Sequence, residues 1–430
     1  MRIEIPYGPG IVRADVDWAR PLGTLAVPPA PSVEDPAEAV RRALDNPIGQ
    51  PEPLRGRVHA GEKVLIVVSD QFRQTRADIV LPVLLDELKR GGGAEGGVAE
   101  DNVHILFATG THRPPEPDEQ ARILGPDIYA RFLARLHVHD PFDSGQLAHV
   151  GATSRGTPVF INRLALDADR VVATGAVVFH YFAGFGGGRK SIVPGIAGAE
   201  TIAHNHALNL HPNQNTLDPA VRTGALDGNP VAEDMLEAAR FVPVDSIINT
   251  VLDREGRIAG VFAGELDRAH RTAAEFARGM FSVTIAEQAD LVIASSGDAR
   301  NFVQAHKALH NAWQAMKPGG RIVFLAHCDE GLGGEQFVKW LRLGTREAVF
   351  AGLRRQSEIN GQTALSSLEK CPSAIFVTQL SHEDARLLGA RKAESVEAAL
   401  SLARSDLAGV SDPTVYVMPH ASYTVPFPPA

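Results

Sequence analysis

The residues able to do chemistry stand at the ends of short apolar runs. Lys63–Val68 ends in Ser69-Asp70, with Arg73 three residues beyond Asp70. An aspartate and an arginine at that spacing could take ribose hydroxyls and a phosphate, and Arg76 competes with Arg73 for the role. Val103–Ala108 ends in Thr109-Gly110-Thr111-His112. An imidazole there suits general acid/base work, because its ordinary pKa of about 6.5 lies near neutrality. Thr111 could equally cap a helix beyond Pro114. Arg170–Phe179 ends in His180 and a glycine run, Gly186-Gly187-Gly188, followed by Arg189-Lys190-Ser191. Three glycines let a backbone approach a ligand closely, and Lys190 and Ser191 could present donors. The run Gly184–Ser191 comes near the phosphate loop GxxxxGK[ST] but carries Arg189 before the lysine, and Pro194 follows too soon for a long helix.

Two further groups lie downstream. His204 and His206 are two apart in an expected helix from about Gly198, so they point to different sides, and one of them could be a single metal ligand. Gln304 and Lys307 share a helix face at i, i+3, where both could grip one carboxylate; a solvated surface is the competing reading. His137 and His139 read as structural, since nothing nearby completes a metal set.

The elements that position these groups read as α/β. Continuous β-branched runs, among them also Ala289–Ala294, Arg321–Ala326 and Thr414–Met418, suit strands covered on both faces of mainly parallel sheets. Helical patterns at Ile79–Arg90, Pro230–Arg240 and Phe302–Met316 alternate with them. Ligands in such sheets bind beyond the strands' carboxyl ends, where the polar clusters stand. Asp253–Gly260 reads as a hairpin turn and Glu265–Met280 as a long helix. The break between two domains is expected near 275–285: residues 1–280, to which 406–430 could return, and 281–405, with the active site in the cleft between them. Pro29–Pro36, Gly91–Gly97 and Pro419–Ala430 read as irregular.

Composition narrows the class. The 430 residues are 44% hydrophobic and 22% charged, ordinary for a folded protein. The formal net charge of -9 argues against a nucleic-acid partner. Two cysteines, Cys328 and Cys371, make no disulfide framework and fit a reducing, cytoplasmic setting. The start carries no signal-peptide pattern, and no apolar run approaches the ~20 residues that span a bilayer, so no membrane partner is expected.

Taken together, these positions resemble the nickel-pincer-nucleotide-dependent lactate racemase family. Asp70 and Arg73 resemble its Asp-x-Thr-Arg segment, Ala108–Arg113 its Gly-x-His-Arg element, and His180–Gly195 its glycine-rich signature. Asn205-His206 resembles the Asn-His that follows, and Gln304 with Lys307 its Gln-x-x-Lys pair. Phe72 and Gln74 depart from the usual Thr and Pro, Ser295–Asp298 replaces a more glycine/proline-rich segment, and Val303 stands where an aromatic is common.

The resemblance implies a two-domain 2-hydroxyacid racemase or epimerase. It implies a pyridinium-derived mononucleotide carrying Ni(II), attached covalently at Lys190, with His206 as the protein's metal ligand. Asp70, Arg73, Thr109, Gly186, Gly187 and Gly188 would cradle that cofactor. Gln304, Lys307 and Arg73 would hold the substrate carboxylate. His112 and His180 would serve as two bases, one per enantiomer, while hydride passes to the cofactor and a 2-oxo acid forms. Proteins that make and load the cofactor would be partners. The competing reading is a nucleotide-dependent kinase or transferase using Gly184–Ser191 as a degenerate phosphate loop; a third is a non-catalytic binding protein on the same scaffold.

Overall fold

The computed structural model describes residues 1–29, 32–93 and 96–427. Residues 30, 31, 94 and 95, which fall in two of the stretches expected to be irregular, lie outside the described residues, as do 428–430. The chain forms two compact units, 29–279 and a second built from 1–28 with 280–430.

In the 29–279 unit a six-stranded sheet runs in the order Ile258–Gly264, Val244–Leu252, Arg170–Ala176, Val64–Ser69, Val103–Ala108, Leu136–Val138. Only the first two pair antiparallel, across the hairpin expected at Asp253–Gly260. Val64, Ile66 and Val68 alternate onto one face, where Ile105, Phe107 and Val172 join them under Val80, Leu84 and Leu88 of the helix Ala77–Lys89. Fully burying each such side chain contributes about 1.5–3 kcal/mol. That rigid centre fixes where Asp70, Thr109 and His112 emerge.

The second sheet is wholly parallel, in the order Arg391–Ala393, Ala374–Val377, Met316–Leu325, Ala289–Ser295, Thr414–Met418, Arg20–Thr24. Its four inner strands are apolar on both faces. Val292, Ala294, Ile322 and Phe324 meet Phe302, Ala305 and Leu309 of the helix Phe302–Gln314. Leu291, Ile293, Val323 and Leu325 meet Ile3, Ile5, Val396 and Leu400 on the other side. Double coverage is why these runs do not alternate with polar residues.

Four expectations change. Thr414–Met418 does not return to the first sheet: it pairs with Ala289–Ser295 on one side and with Arg20–Thr24 on the other, so the N-terminal segment is the one that crosses between units. Pro419–Ala430 is not irregular throughout, because Val425–Phe427 pairs parallel with Ser282–Thr284. The run Arg170–Phe179 is not one strand. It ends at Ala176, and Phe179–His180 then folds back on Gly184–Phe185. Thr111 caps no helix; Glu116 does so for Pro117–Leu124, in a capping box with Glu119.

The helix Phe302–Gln314 is tied to Ile359–Lys370 by a buried polar contact. Lys370 Nζ donates to Ser366 Oγ at 2.9 Å, and since an ammonium only donates, the Ser366 hydroxyl proton turns to His306 Nε2, also 2.9 Å away. Burial, reinforced by the Lys370 charge, holds the His306 pKa down at about 3. The unfolded chain therefore binds a proton here that the folded chain refuses. The stability this neutral imidazole contributes is full above pH ~6.5 and falls by about 1.4 kcal/mol per pH unit as pH drops from there towards the folded value. Urea midpoints measured from pH 7 to pH 5 are expected to fall, and to fall less steeply in His306→Gln.

Candidate active site

The strand Val64–Ser69 delivers Asp70, which is 2% exposed. Asp70 Oδ2 accepts from His112 Nδ1 at 2.5 Å, and Oδ1 accepts from the Phe72 amide at 3.1 Å. A carboxylate only accepts, so the proton between them sits on His112 Nδ1, and in the neutral ring the lone pair is on Nε2. The adjacent strand Val103–Ala108 presents His112 at its carboxyl end, and the turn closes through His112 N to Thr109 O at 3.0 Å. The Phe72 ring, 51% exposed, stands edge-on to His112 at 5.1 Å.

His180 has the opposite polarity. Its Nδ1 accepts the Ala183 amide at 3.2 Å and, more weakly, the Phe182 amide at 3.5 Å. A nitrogen that accepts cannot carry the proton, so neutral His180 carries it on Nε2. The two imidazoles expected to be equal bases thus differ: His112 offers a lone pair at Nε2 and His180 offers an N–H.

Lys190 follows in a single short turn, Gly188–Ser191. It is half-buried, and its Nζ stands 5.3 Å from the Phe182 ring centre. Among the described residues its amine has neither hydrogen bond nor ion pair. Burial, and then the charges of Arg73 and Arg189, push its pKa well below the ordinary lysine value. The opposite edge of this cluster is His206, buried on the helix Ala199–Ala207 and edge-on to Phe182 at 5.0 Å. Burial, aided by Lys190 and His112, lowers its pKa to about 3, so it stays neutral, the form in which imidazole binds a metal. His204 on the same helix is exposed, as the two-residue spacing requires.

Arg73 rather than Arg76 is available to an anion. Arg76 is bound to Asp78 through Nε and Nη2, both at 3.1 Å, whereas the side chain of exposed Arg73 bonds, among the described residues, only the Phe72 carbonyl. His137 and His139 stay structural. His137 Nε2 meets His104 Nδ1 at 3.0 Å, and the His139 ring lies between Ala197 O and Asn162 Nδ2.

Other expected contacts are occupied by the protein itself. Asp70 accepts from His112 through Oδ2, which orients that imidazole. The Thr109 hydroxyl donates to His139 O at 2.7 Å, and the Ser191 hydroxyl to Thr174 O at 2.8 Å. Two amides of the glycine run are bonded within the protein: Gly186 N donates to Val178 O and Gly188 N to Asn249 Oδ1, both at 2.8 Å. A Cβ on Gly188, where φ is +54°, would meet the His270 ring at 2.6 Å. Small size at Gly188 serves packing against the His270 ring.

Sequence reasoning missed the buried groups behind the site, because a polar residue inside an apolar strand or an alanine-rich helix carries no local signal. Asn249 holds the glycine turn. Asp234, fully buried, accepts from Thr153 Oγ1 at 2.5 Å, Thr157 Oγ1 at 3.0 Å and Asn205 Nδ2 at 2.9 Å, and so fixes the residue next to His206. His270 and Arg189 lie under the glycines.

Gln304 and Lys307 occupy the first two turns of Phe302–Gln314 in the other unit. Gln304 is exposed and its Oε1 accepts the Arg300 amide at 3.1 Å; Lys307 is half-buried. Among the described residues, no helix is long and apolar enough to cross a membrane.

Sequence comparison gives the same assignment from both halves. Residues 7–217 match the family model described as the lactate racemase N-terminal domain, and residues 284–422 match the lactate racemase C-terminal domain. A lactate racemase of Thermoanaerobacterium thermosaccharolyticum is 36% identical over 345 residues, 79% of this chain and 78% of that one. One from Lactiplantibacillus plantarum is 34% identical over 341 residues, 78% and 77% of the two chains. The lactate racemase apoprotein structure from T. thermosaccharolyticum superposes with a TM-score of 0.87 at 32% identity, covering 99% of this chain and 100% of that one. A Thermotoga maritima protein solved by structural genomics shares the fold at 19% identity, with a TM-score of 0.63 over 94% of this chain and all 100% of its own.

Proposed function

The chain belongs to the lactate racemase family and is an isomerase of that type, and from this premise we propose that it racemises or epimerises a 2-hydroxy carboxylic acid, lactate or a close relative. The observation that carries the reading is Lys190: an amine held below its ordinary pKa, without an ion pair or hydrogen bond among the described residues, beside a neutral buried imidazole. A depressed lysine is a nucleophile, and a neutral imidazole is a nickel ligand. Those two residues fit a nickel-bearing pyridinium mononucleotide joined covalently to Lys190 and ligated by His206, with Arg73 available to its phosphate. When bound, that group would supply a hydride acceptor beside the substrate's hydroxyl-bearing carbon.

The chain's own residues do the remaining work. The α C–H of a hydroxy acid is weakly acidic, and proton removal beside the carboxylate would build a dianion; loss of hydride avoids it. His112 Nε2 takes the hydroxyl proton, and Asp70 steadies the resulting imidazolium. His180 donates its Nε2–H to the substrate oxygen and stabilises charge there. His112 would return the proton to the oxygen of the planar 2-oxo acid as the other enantiomer forms. Gln304 and Lys307 hold the carboxylate about which that acid turns. Proteins that build and load the cofactor are the partners this chemistry needs.

The test is a panel of single-enantiomer 2-hydroxy acids given to protein co-expressed with those loading partners. Optical rotation is expected to decay to zero for at least one pair, with nickel bound and an intact mass above that of the polypeptide. Transfer of phosphate from ATP with magnesium, and no loss of rotation, would sink the proposal in favour of the kinase reading.

A further inference from the structure

Beneath the glycine run lies a polar chain that the reaction above does not use. Arg189 is 2% exposed, and among the described residues no carboxylate pairs with it. An arginine buried without an ion pair is costly, since several kcal/mol of hydration are lost per buried ion. Its hydrogen bonds show what it holds instead. Nη1 donates to His270 Nδ1 at 3.0 Å, and Nη2 donates to the Ala183 carbonyl at 3.1 Å. His270, 1% exposed on the helix Arg268–Phe281, sets its Nε2 against Gly186 O at 2.8 Å. Because guanidinium only donates, His270 Nδ1 must accept, and its single proton goes through Nε2 to Gly186 O. The tautomer is therefore fixed from both ends.

The chain then reaches the site. The Ala183 residue whose carbonyl Arg189 grips is the one whose amide donates to His180 Nδ1 at 3.2 Å. We infer that Arg189 and His270 are positioning residues for His180: they clamp the Tyr181–Ala183 turn so that its amides face His180 Nδ1 and keep the proton on Nε2. This rests on the part given to His180 in the proposed reaction. It also accounts for Arg189 standing where a phosphate loop would have glycine: the position is spent on an inward clamp. Gly188 has to lack a side chain because the His270 ring fills that space.

The test reads the His180 tautomer directly, in protein free of cofactor. Histidine-labelled protein would be studied by long-range proton–nitrogen correlation, with His180 assigned by its loss in His180→Gln. In the native chain His180 is expected to show a bare, accepting Nδ1 and a protonated Nε2. His270→Leu and Arg189→Met are expected to move both nitrogen shifts towards the average of the two tautomers. His270→Gln should keep the native pattern, because a carboxamide accepts from Arg189 and donates to Gly186 O. Should the Leu and Met variants fail to fold, Arg189→Lys serves in their place: one ammonium on a flexible stem cannot span both His270 and Ala183 as the fork does, so His180 loosens. In loaded enzyme the loosening variants should lose about 10- to 100-fold in kcat with KM little changed, the scale of a misplacement of about 1 Å. An unaltered His180 signature in every folded variant would overturn the inference. If the signature responds as stated while no hydroxy acid is racemised, the proposed reaction fails and the clamp stands.

Discussion

Lys190→Arg is expected to abolish the covalent adduct and racemisation together. The substitution keeps positive charge and a long stem at the position but removes the nucleophile, since a guanidinium stays protonated at any working pH. The native amine is in the opposite state. Burial and the cationic neighbours Arg73 and Arg189 favour its neutral form, and no acceptor among the described residues stabilises the ammonium. Such an amine would suit attack on an activated acyl carbon of a pyridinium nucleotide, forming an amide-type bond as the activating group leaves and the nitrogen loses a proton, and the Phe182 ring lies 5.3 Å from its Nζ. Intact mass after co-expression with the loading proteins should show the polypeptide plus one nucleotide-sized group in the native chain, and the bare polypeptide in Lys190→Arg. Turnover should fall by about 10⁶-fold, the lower end of what enzymes add to an uncatalysed rate. Lys190→Ala should behave alike, which separates loss of the nucleophile from any effect of the bulkier arginine. An adduct that survives Lys190→Arg would place the attachment elsewhere and undo the reading of this site.

How much of this was legible in the chain follows from what each feature depends on. The strands Val64–Ser69, Val103–Ala108 and Thr414–Met418 are local apolar runs buried on two faces, and a run of that kind announces itself. The ends of the first two announced Asp70 and His112 for the same reason, and the end of the apolar run Arg170–Phe179 announced His180. Which strand pairs with which depends on contacts far apart in sequence, so the placement of Arg20–Thr24 beside Thr414–Met418 was not legible. Residue type pointed to Lys190 and His206, but the partners that set their states come from distant positions. The glycine run shows the limit most clearly. Gly186, Gly187 and Gly188 look like a ligand cradle because ligand cradles need the same absence of Cβ that close packing needs. Only the positions of Asn249 and His270, more than sixty residues downstream, tell the two apart. His180 was likewise nameable as a participant, while its proton position hangs on Ala183 and, behind it, Arg189.

That difference in proton position makes the two imidazoles separable by mutation. Asp70→Asn is expected to cost about 10²–10⁴-fold in kcat although it changes hardly any volume. An asparagine amide turned towards His112 Nδ1 donates where the carboxylate accepted, which moves the imidazole proton to Nε2 and removes the lone pair that takes the substrate's proton. Replacing His112 itself, as His112→Ala, should fall in the same range. His180→Gln should be milder, about 10- to 100-fold, because a carboxamide still supplies an N–H and only the quality of one hydrogen bond to a charged oxygen is lost. Two equivalent bases would predict otherwise: His112→Ala and His180→Gln would then be equally damaging, and Asp70→Asn would impair only one direction of the reaction. Single-turnover rates from each enantiomer, measured in loaded protein with matched nickel content, decide between them. The carboxylate that the sequence offers as a ribose ligand is in the structure 2.5 Å from the imidazole, so a loss in Asp70→Asn that appears in turnover and leaves nickel content unchanged is the outcome the geometry requires.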